Sequence, residues 1–592
     1  MKPVIYQLFV RHFSNMMRGG VPWGSLQKNG CGRFNDITSD ALNQLVKMGI
    51  THVWLTGVLR HATQTPHDGL NEQPSSIVKG IEGSPYAIID YYDVDPDLAY
   101  IPNFRMDEFR DLIERCRQVG LVPMIDFVPN HVSRAYHSTT HLENNFGDHD
   151  DISQFFTWDN SFFYIQYGMG EGTPPFRLPH GIWKKEQFCA KVTGNNAVSW
   201  QPGEFDWYET VKLNYGYNFL SSPDTCNQLP GFLSPLDSVP KTWRIMDDII
   251  HFWQNYGVGG FRCDMAHMVP MPFWKWLNAR ARVRDPHLFM IAEAYDDSMK
   301  TTVGDPSVAL LDSGFNGVYD SQTYHLAHHL YEEDDWANDF DSLNTPTSPF
   351  FHHGVRFIEN HDEPRICAPQ YWGGVGRIIM PAIMTLLYTS SKGPILVYNG
   401  QEVGEEAKGP GGFGGDNGRT SIFDYTCLPR LQQWVDHGHF SDDKLPIEDK
   451  KLRTFHANLL CLMRHPSIDH GEFYGLNWSN MDTPNYGREP KETKSGHWVY
   501  SFLRHDYASQ RTLLIVCNLS STNSLDNLHI SIPTNAWDWC QRHEDSYQLV
   551  PILGNHTKPL LCSLKTASTT GIPIPLLPGE AMIFEITSIP QK

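Results

Sequence analysis

Trp243-Arg244-Ile245-Met246-Asp247-Asp248-Ile249-Ile250-His251-Phe252-Trp253-Gln254-Asn255-Tyr256-Gly257-Val258-Gly259-Gly260-Phe261-Arg262-Cys263-Asp264 is the stretch from which the fold is read. Trp243, Met246, Ile249, Ile250 and Trp253 recur at spacings of three and four, which predicts a helix with one apolar stripe. Gly257 follows where the helix needs a left-handed residue to end, and a residue without Cβ takes that conformation at least cost. Residues 258–263 read as a short apolar strand, and Asp264 stands at its end. Helix, glycine, strand and terminal acid make an αβ unit that delivers a carboxylate.

The same unit recurs upstream. Leu42, Leu45 and Val46 share a helical face behind possible caps at Thr38 or Ser39; Gly49 and the apolar residues 50–55 follow. Phe109, Leu112, Ile113 and Cys116 lead to Gly120 and the strand 121–127. Further apolar runs at 4–10, 288–292, 317–319, 355–358 and 395–398 bring the count to eight. Eight strands alternating with helices predict an α/β protein built on a (β/α)8 TIM barrel; periodicity alone leaves a doubly wound open sheet as the alternative. Residues 132–239 are too long for a strand-to-helix connection and hold Phe155, Phe156, Trp158, Phe162, Phe163, Tyr164, Trp183, Trp200 and Trp207, which predicts an inserted subdomain. From residue 485 onward, short runs at 497–503, 512–516, 528–532 and 581–586 separated by Asn, Ser and Pro predict a C-terminal β-sandwich. The barrel is thus assigned to 1–131 and 240–484, the insertion to 132–239 and the sandwich to 485–592.

Composition narrows the function. The 592 residues carry 47 Lys+Arg against 67 Asp+Glu, a formal charge of −20, so phosphate backbones and anionic membrane faces are repelled and nucleic acid is not an expected partner. Hydrophobic residues at 40% and aromatics at 12% suffice for a large core and exclude wholesale disorder. Eleven scattered cysteines without a Cys-x-x-Cys pair suggest a reducing compartment. Met1-Lys2-Pro3 runs straight into an apolar strand with no cleavage site behind it, and no run of about 18 apolar residues occurs. A soluble, cytoplasmic protein is the expectation, export by a signal-independent route being the alternative; no oligomeric state is implied.

Four of the strands end in acids: Asp126, Asp264, Glu293 and Asp362. In a barrel the C-terminal strand ends converge on one face, so these carboxylates are expected around one cavity with His131, Arg262 and His361. Clustered acids in an aromatic-rich cleft suit glycosidic bond cleavage, where one acid protonates the leaving oxygen and another attacks the anomeric carbon or activates water. An arginine beside the nucleophile is expected to hold its pKa low. His137, His141 and His149 lack helical spacing and read as surface histidines, and Gly409–Gly415 lacks the Lys-Ser/Thr of a phosphate cradle and reads as a mobile loop beside the cleft.

At this point the segments resemble the α-amylase family of retaining glycoside hydrolases, family 13. Asp126-Phe127-Val128-Pro129-Asn130-His131 resembles its first conserved segment and Gly260-Phe261-Arg262-Cys263-Asp264 its second. Ile291-Ala292-Glu293-Ala294 is similar to the third, and Phe357-Ile358-Glu359-Asn360-His361-Asp362 to the fourth. Ser84-Pro85-Tyr86-Ala87-Ile88-Ile89-Asp90-Tyr91-Tyr92 resembles the family's substrate-stacking segment, residues 394–402 its eighth strand, and the insertion its domain B. The resemblance implies that Asp264 is the nucleophile, Glu293 the general acid/base and Asp362 the transition-state stabiliser. It implies that Arg262 orients Asp264, that His131 and His361 bind the reacting sugar, and that Tyr86 stacks on it; Asp126 becomes a structural support. Arg419 is expected either to touch substrate or to form a structural salt bridge.

Two departures stand out. Where α-amylases proper often carry Lys-His, this chain has His267 and Met268, so the family's reducing-side contacts do not carry over directly, and His267 is expected among the substrate-binding residues. Thr210-Val211-Lys212-Leu213-Asn214 is closer to the Met-Pro-Lys-Leu-Asn of neopullulanase-like members, and puts an ammonium where the family's calcium site has a carboxylate. The resemblance implies calcium near Asn130; Lys212 argues for an enzyme that requires no cofactor. The implied activity is cleavage of internal α-1,4 bonds of glycogen, starch or maltodextrin with retention. The alternatives are an exo-acting α-glucosidase or transglycosylase and, less favoured because all three catalytic acids are present, a non-catalytic binding or scaffold homologue.

Overall fold

A computed structural model describes residues 1–592 except 71, 222–225, 227, 296–305, 409–410 and 590–592. Eight parallel strands form one sheet in sequence order: β1 (Val4–Phe9), β2 (His52–Thr56), β3 (Val122–Phe127), β4 (Gly260–Cys263), β5 (Phe289–Ala292), β6 (Gly317–Tyr319), β7 (Gly354–Val355) and β8 (Ile395–Tyr398). β8 pairs with β1 in the register Val4↔Ile395. The ring closes just beyond β7, where Arg356 N donates to Pro394 O at 3.0 Å and Leu396 N to Arg356 O at 2.9 Å. This closure removes the open-sheet alternative. Every residue of β1 is buried, as expected where helices cover a parallel sheet on one side and a packed interior fills the other.

The helices follow the predicted stripes. Helix α1 (Ser39–Lys47) is capped by Thr38, whose hydroxyl accepts from Ala41 N at 3.2 Å, and buries Leu42 and Leu45. Helix α2 (Arg105–Gln118) buries Phe109, Leu112, Ile113 and Cys116, and α3 (Lys241–Asn255) buries Trp243, Met246, Ile249, Ile250 and Trp253. Gly257 has φ +96°. Gly260 answers a different need, since a Cβ there would lie 2.7 Å from Phe289 O across the β4–β5 pair.

The insertion has little regular structure: His131–Ser133 pairs with Thr210–Lys212. Its core of Phe155, Phe163, Phe176, Trp183, Trp200 and Tyr208 is completed by Ala62, Ile77 and Val78 from the long loop after β2, so the two share one hydrophobic core. The C-terminal region is a six-stranded antiparallel sheet packed with a two-stranded one (His529–Ile530, Ile572–Pro573) around Leu503, Leu514, Val516, Trp537 and Phe584. Its edge strand, Glu472–Gly475, pairs with Val499–Asp506 and lies ahead of residue 485, in a stretch too short to show a period. Among the described residues no helix is long and apolar enough to cross a membrane.

Candidate active site

The end of β4 sets the geometry. Arg262, fully buried, places Nη1 2.7 Å from Asp264 Oδ1 and Nη2 2.8 Å from Glu293 Oε2. Two more carboxylates lie just outside contact, Asp126 Oδ1 at 3.7 Å from Nη1 and Asp362 Oδ2 at 3.8 Å from Nη2. Strand ends β3, β4, β5 and the loop after β7 thus meet at one guanidinium, as the barrel predicts. Trp54, Tyr86 and Tyr319 surround it, with ring centroids 5.2, 5.3 and 5.8 Å from Cζ. These π faces favour the cation that the acids require.

One guanidinium does not neutralise four buried or half-buried carboxylates, so one of them holds a proton. Burial raises Asp264 to about 6, with Arg262 opposing the rise and the Asp362 and Asp126 charges adding to it. The sequence expectation that Arg262 keeps this pKa low is therefore corrected: desolvation outweighs the arginine. Burial raises Glu293 further, to about 8, where the Arg262 contact favours the charged form but is outweighed by burial and the neighbouring Asp264 and Asp362 charges. Of the pair, Glu293 is the one pushed further toward the protonated form. Asp126, at about 6 through burial against the pull of Arg262, accepts from Gly57 N at 3.1 Å.

The backbone helps to fix Glu293. Met265, directly after Asp264, takes a left-handed conformation (φ 44°, ψ 41°), unusual for a residue with a side chain and costing roughly 1–2 kcal/mol. This turn aims Met265 N at Glu293 Oε2, 2.8 Å away. Across the cavity, Gln7 Nε2 lies 2.8 Å from His361 Nδ1; read as a donor, it leaves the ring proton on Nε2, which faces Asp362 Oδ2 at 3.0 Å and Tyr86 OH at 2.5 Å. Burial lowers His361 to about 4, so the ring is neutral. His131 is also neutral, lowered to about 3 by burial and then by Lys212 and Lys79; its ring bonds to the Tyr86 main chain and packs on Trp207 at 5.2 Å.

Tyr86, His131, Arg262 and His361 are therefore brought together with the three acids. His267 is buried, bonds to the main chain of Glu293 and is lowered to about 4 by burial. Arg419 stands apart at the exposed edge, its charge facing Glu363 and Tyr324 rather than the acids. Gln7, Trp54, Tyr319 and Met265 were missed by sequence reasoning. A polar residue in the otherwise apolar β1 was the one signal that pointed to Gln7.

Lys212 occupies the position expected of a calcium ligand and fills it. Its Nζ donates to Asn130 Oδ1 at 2.5 Å and to Met268 O at 3.4 Å. Burial lowers Lys212 to about 7, and charged or neutral its amino group donates to the oxygens a hard cation would need, so these residues do not fit calcium.

The loop carrying Tyr86 is tied down separately. His61 Nε2 lies 2.8 Å from Glu82 Oε1 and His61 Nδ1 3.1 Å from Asp95 Oδ2, while Arg11 pairs with Glu82. Burial alone would depress His61, but the two carboxylates lift it to about 9 and keep it charged. Glu82 N and Gly83 N both donate to Phe423 O at 3.2 Å, joining the loops after β2 and β8.

A closed barrel with acids at the C-terminal ends of β3, β4 and β5 and after β7 is an arrangement that glycoside hydrolases use. The family model for the α-amylase catalytic domain matches residues 7–420, and the chain belongs to the α-amylase family of glycoside hydrolases. Over 419 residues it is 20% identical to a cyclomaltodextrinase of Geobacillus thermopakistaniensis, covering 68% of this chain and 56% of that one. Over 95 residues it is 36% identical to an α-1,4-glucan:maltose-1-phosphate maltosyltransferase of Burkholderia pseudomallei, covering 16% of this chain and 8% of the relative. The chain thus spans well under two thirds of the length of these relatives. The fold is shared along its whole length with the maltogenic α-amylase AmyB of Thermotoga neapolitana (TM-score 0.59, 19% identity, 99% of both chains). It is shared likewise with a Geobacillus thermoleovorans α-amylase solved with acarbose (TM-score 0.58, 17% identity, 99% of this chain and 98% of that one).

Proposed function

We propose that this protein hydrolyses α-1,4-glucosidic bonds of maltodextrin, starch or glycogen with retention of configuration, acting at internal bonds and without calcium. The observation that carries the reading is geometric: Asp264 and Glu293, from neighbouring strand ends, each lie within 2.8 Å of the Arg262 guanidinium, with burial raising both carboxyls and Glu293 the further. In this reading Glu293 gives its proton to the glycosidic oxygen as Asp264 attacks the anomeric carbon, forming a glycosyl ester and releasing the leaving chain as an alcohol. Glu293, now ionised, takes a proton from water, whose oxygen displaces Asp264. Asp362 and neutral His361 hold sugar hydroxyls as the ring becomes oxocarbenium-like, and Tyr86 supports its face. A single guanidinium between the two carboxyl groups favours the short separation of about 5–5.5 Å that leaves no room for an inverting water. The test is proton NMR of maltooligosaccharide hydrolysis: the product forms first as the α-anomer, and early β-anomer overturns the reading.

A second reading, exo action, is favoured by one feature. Lys79, from the loop after β2, pairs with Glu209 of the insertion at 3.1 Å and lies over Tyr208 (5.3 Å) and Phe413 of the loop after β8 (5.9 Å). These contacts join the loop after β2, the insertion and the loop after β8 into a wall that would stop a substrate chain from extending past it. An oligosaccharide blocked at its non-reducing end separates the readings: cleavage supports internal action, and resistance supports exo action.

A further inference from the structure

Strand β1, Val4-Ile5-Tyr6-Gln7-Leu8-Phe9, is buried along its whole length and carries one carboxamide. Gln7 lies between Tyr398 of β8 and Trp54 of β2 in the sheet register, and its main-chain oxygen accepts from Asn399 N at 3.0 Å, so the backbone on both sides fixes where the side chain starts. Burying an amide there strips water from a donor and an acceptor, a cost that leucine or methionine would avoid. Among the described residues it has one partner: Nε2 lies 2.8 Å from His361 Nδ1, while Oε1 is buried without one. The side chain is therefore explained by its N–H and by the ring that receives it.

We propose that Gln7 is the positioning residue for His361, its N–H keeping Nδ1 bare and the ring locked so that Nε2–H is presented to the reacting sugar; the sugar contact rests on the reading proposed above. Aromatic neighbours alone do not achieve this. Tyr86 stacks on the imidazole at 5.4 Å and 30°, and Trp54 meets it edge-on at 5.5 Å and 82°. These walls set the plane of the ring, but a half-turn about the Cβ–Cγ bond keeps the plane and exchanges Nδ1 with Cδ2 and Nε2 with Cε1. Turned over, the imidazole would offer C–H both to Gln7 and to Asp362. Asp362 and Tyr86 also touch Nε2, yet in the proposed reaction both engage the sugar. Gln7 is wholly buried, and its hold on the ring is the same with and without substrate. The opposite proton placement fails at the far edge, because a bare Nε2 3.0 Å from Asp362 Oδ2 would set two lone pairs against each other. From Nε2 the order continues to Tyr86 OH at 2.5 Å, and from that hydroxyl to Asp126 Oδ1 at 3.5 Å, so one amide that does not titrate sets the direction of a chain ending at a carboxylate.

The test combines kinetics with nitrogen NMR of isotope-labelled imidazoles in the full-length protein. Gln7→Met keeps the length of the side chain and removes the N–H; it is expected to lower kcat on maltooligosaccharide by about tenfold to a hundredfold with KM within about threefold, because a misplaced group that acts in the transition state costs rate rather than binding. If Gln7 acts through His361, its loss has nothing left to remove in a His361→Asn background, so the double variant is expected to match His361→Asn alone within about twofold. In the wild type the His361 ring, identified by its disappearance in His361→Asn, is expected to show Nδ1 unprotonated and accepting a hydrogen bond. Gln7→Met is expected to move that resonance to the position of an unbonded nitrogen. Losses that add in the double variant overturn the proposal, since a residue that merely packs β1 acts independently of His361. So does an unchanged kcat in Gln7→Met, or a protonated Nδ1 in the wild type, a result that needs no Gln7 variant to fold. A wild type that leaves maltooligosaccharide uncut, with the Nδ1 resonance as expected, counts against the catalytic reading alone.

Discussion

Replacing Glu293 by glutamine should abolish most activity and at the same time make the protein more stable. In the unfolded chain this carboxyl titrates near its ordinary value of 4.5; in the fold, burial and the neighbouring acids raise it to about 8. A carboxyl whose folded pKa is raised contributes stability below the unfolded value and loses it as pH climbs toward the folded one. At pH 7 the unfolded chain ionises freely while the fold keeps the proton, a difference of about 2.5 units that takes about 3 kcal/mol from the folded state. Glutamine has the same shape and no ionisation, so it escapes that loss, while forfeiting part of the contact with Arg262, roughly 1 kcal/mol. The net gain is about 2 kcal/mol at pH 7, a rise of a few degrees in Tm for a domain of this size. The assay is differential scanning calorimetry of wild type and Glu293→Gln at pH 4.5, 6, 7 and 8. The gap should be small at pH 4.5 and widen toward pH 8. A Tm that falls, or a gap that does not grow with pH, would refute the claim that Glu293 is the buried group holding the proton.

Other outcomes follow from the same geometry. The kcat/KM profile should be a bell with limbs near pH 6 and 8, set by Asp264 below and Glu293 above, so that rates at pH 5 and pH 9 are each about tenfold under the maximum. A flat profile from pH 5 to 9 would remove both assignments. Asp264→Asn should cut the rate by several orders of magnitude on every substrate, whereas Glu293→Gln should recover much of its loss on a glycosyl fluoride, whose leaving group needs no proton. Equal damage on the fluoride and on maltooligosaccharide counts against Glu293 as the acid. Exhaustive chelation should leave activity and Tm unchanged because Lys212 already holds Asn130 Oδ1 and Met268 O; a fall restored by calcium and not by magnesium would show that other oxygens complete a site.

The barrel was legible because its signals are local and repeated. A stripe such as Trp243, Met246, Ile249, Ile250 and Trp253 followed by Gly257 states helix and stop within one short stretch, and even the weak run 317–319 became a strand, Gly317–Tyr319. The edge strand Glu472–Gly475 escaped because four residues show no period, and it exists only through its pairing with Val499–Asp506. Within the site, residues at strand ends were legible for the same positional reason: Asp126, Arg262, Asp264 and Glu293 face the barrel mouth wherever the strands stop. Gln7, Trp54 and Tyr319 were not, since each touches the site only after strands far apart in sequence close into a ring. The electrostatics were least legible of all. Arg-x-Asp at the end of β4 reads as an arginine lowering a carboxylate, and that attraction is present; its outcome is reversed because the barrel mouth strips water from both groups and crowds further acids around a single guanidinium. Depth of burial is a property of the closed ring rather than of any segment. The tendency of Glu293 to keep a proton therefore comes from the fold as a whole: burial and the charges of Asp264 and Asp362 raise its pKa, while Arg262 and the Met265 N–H oppose them.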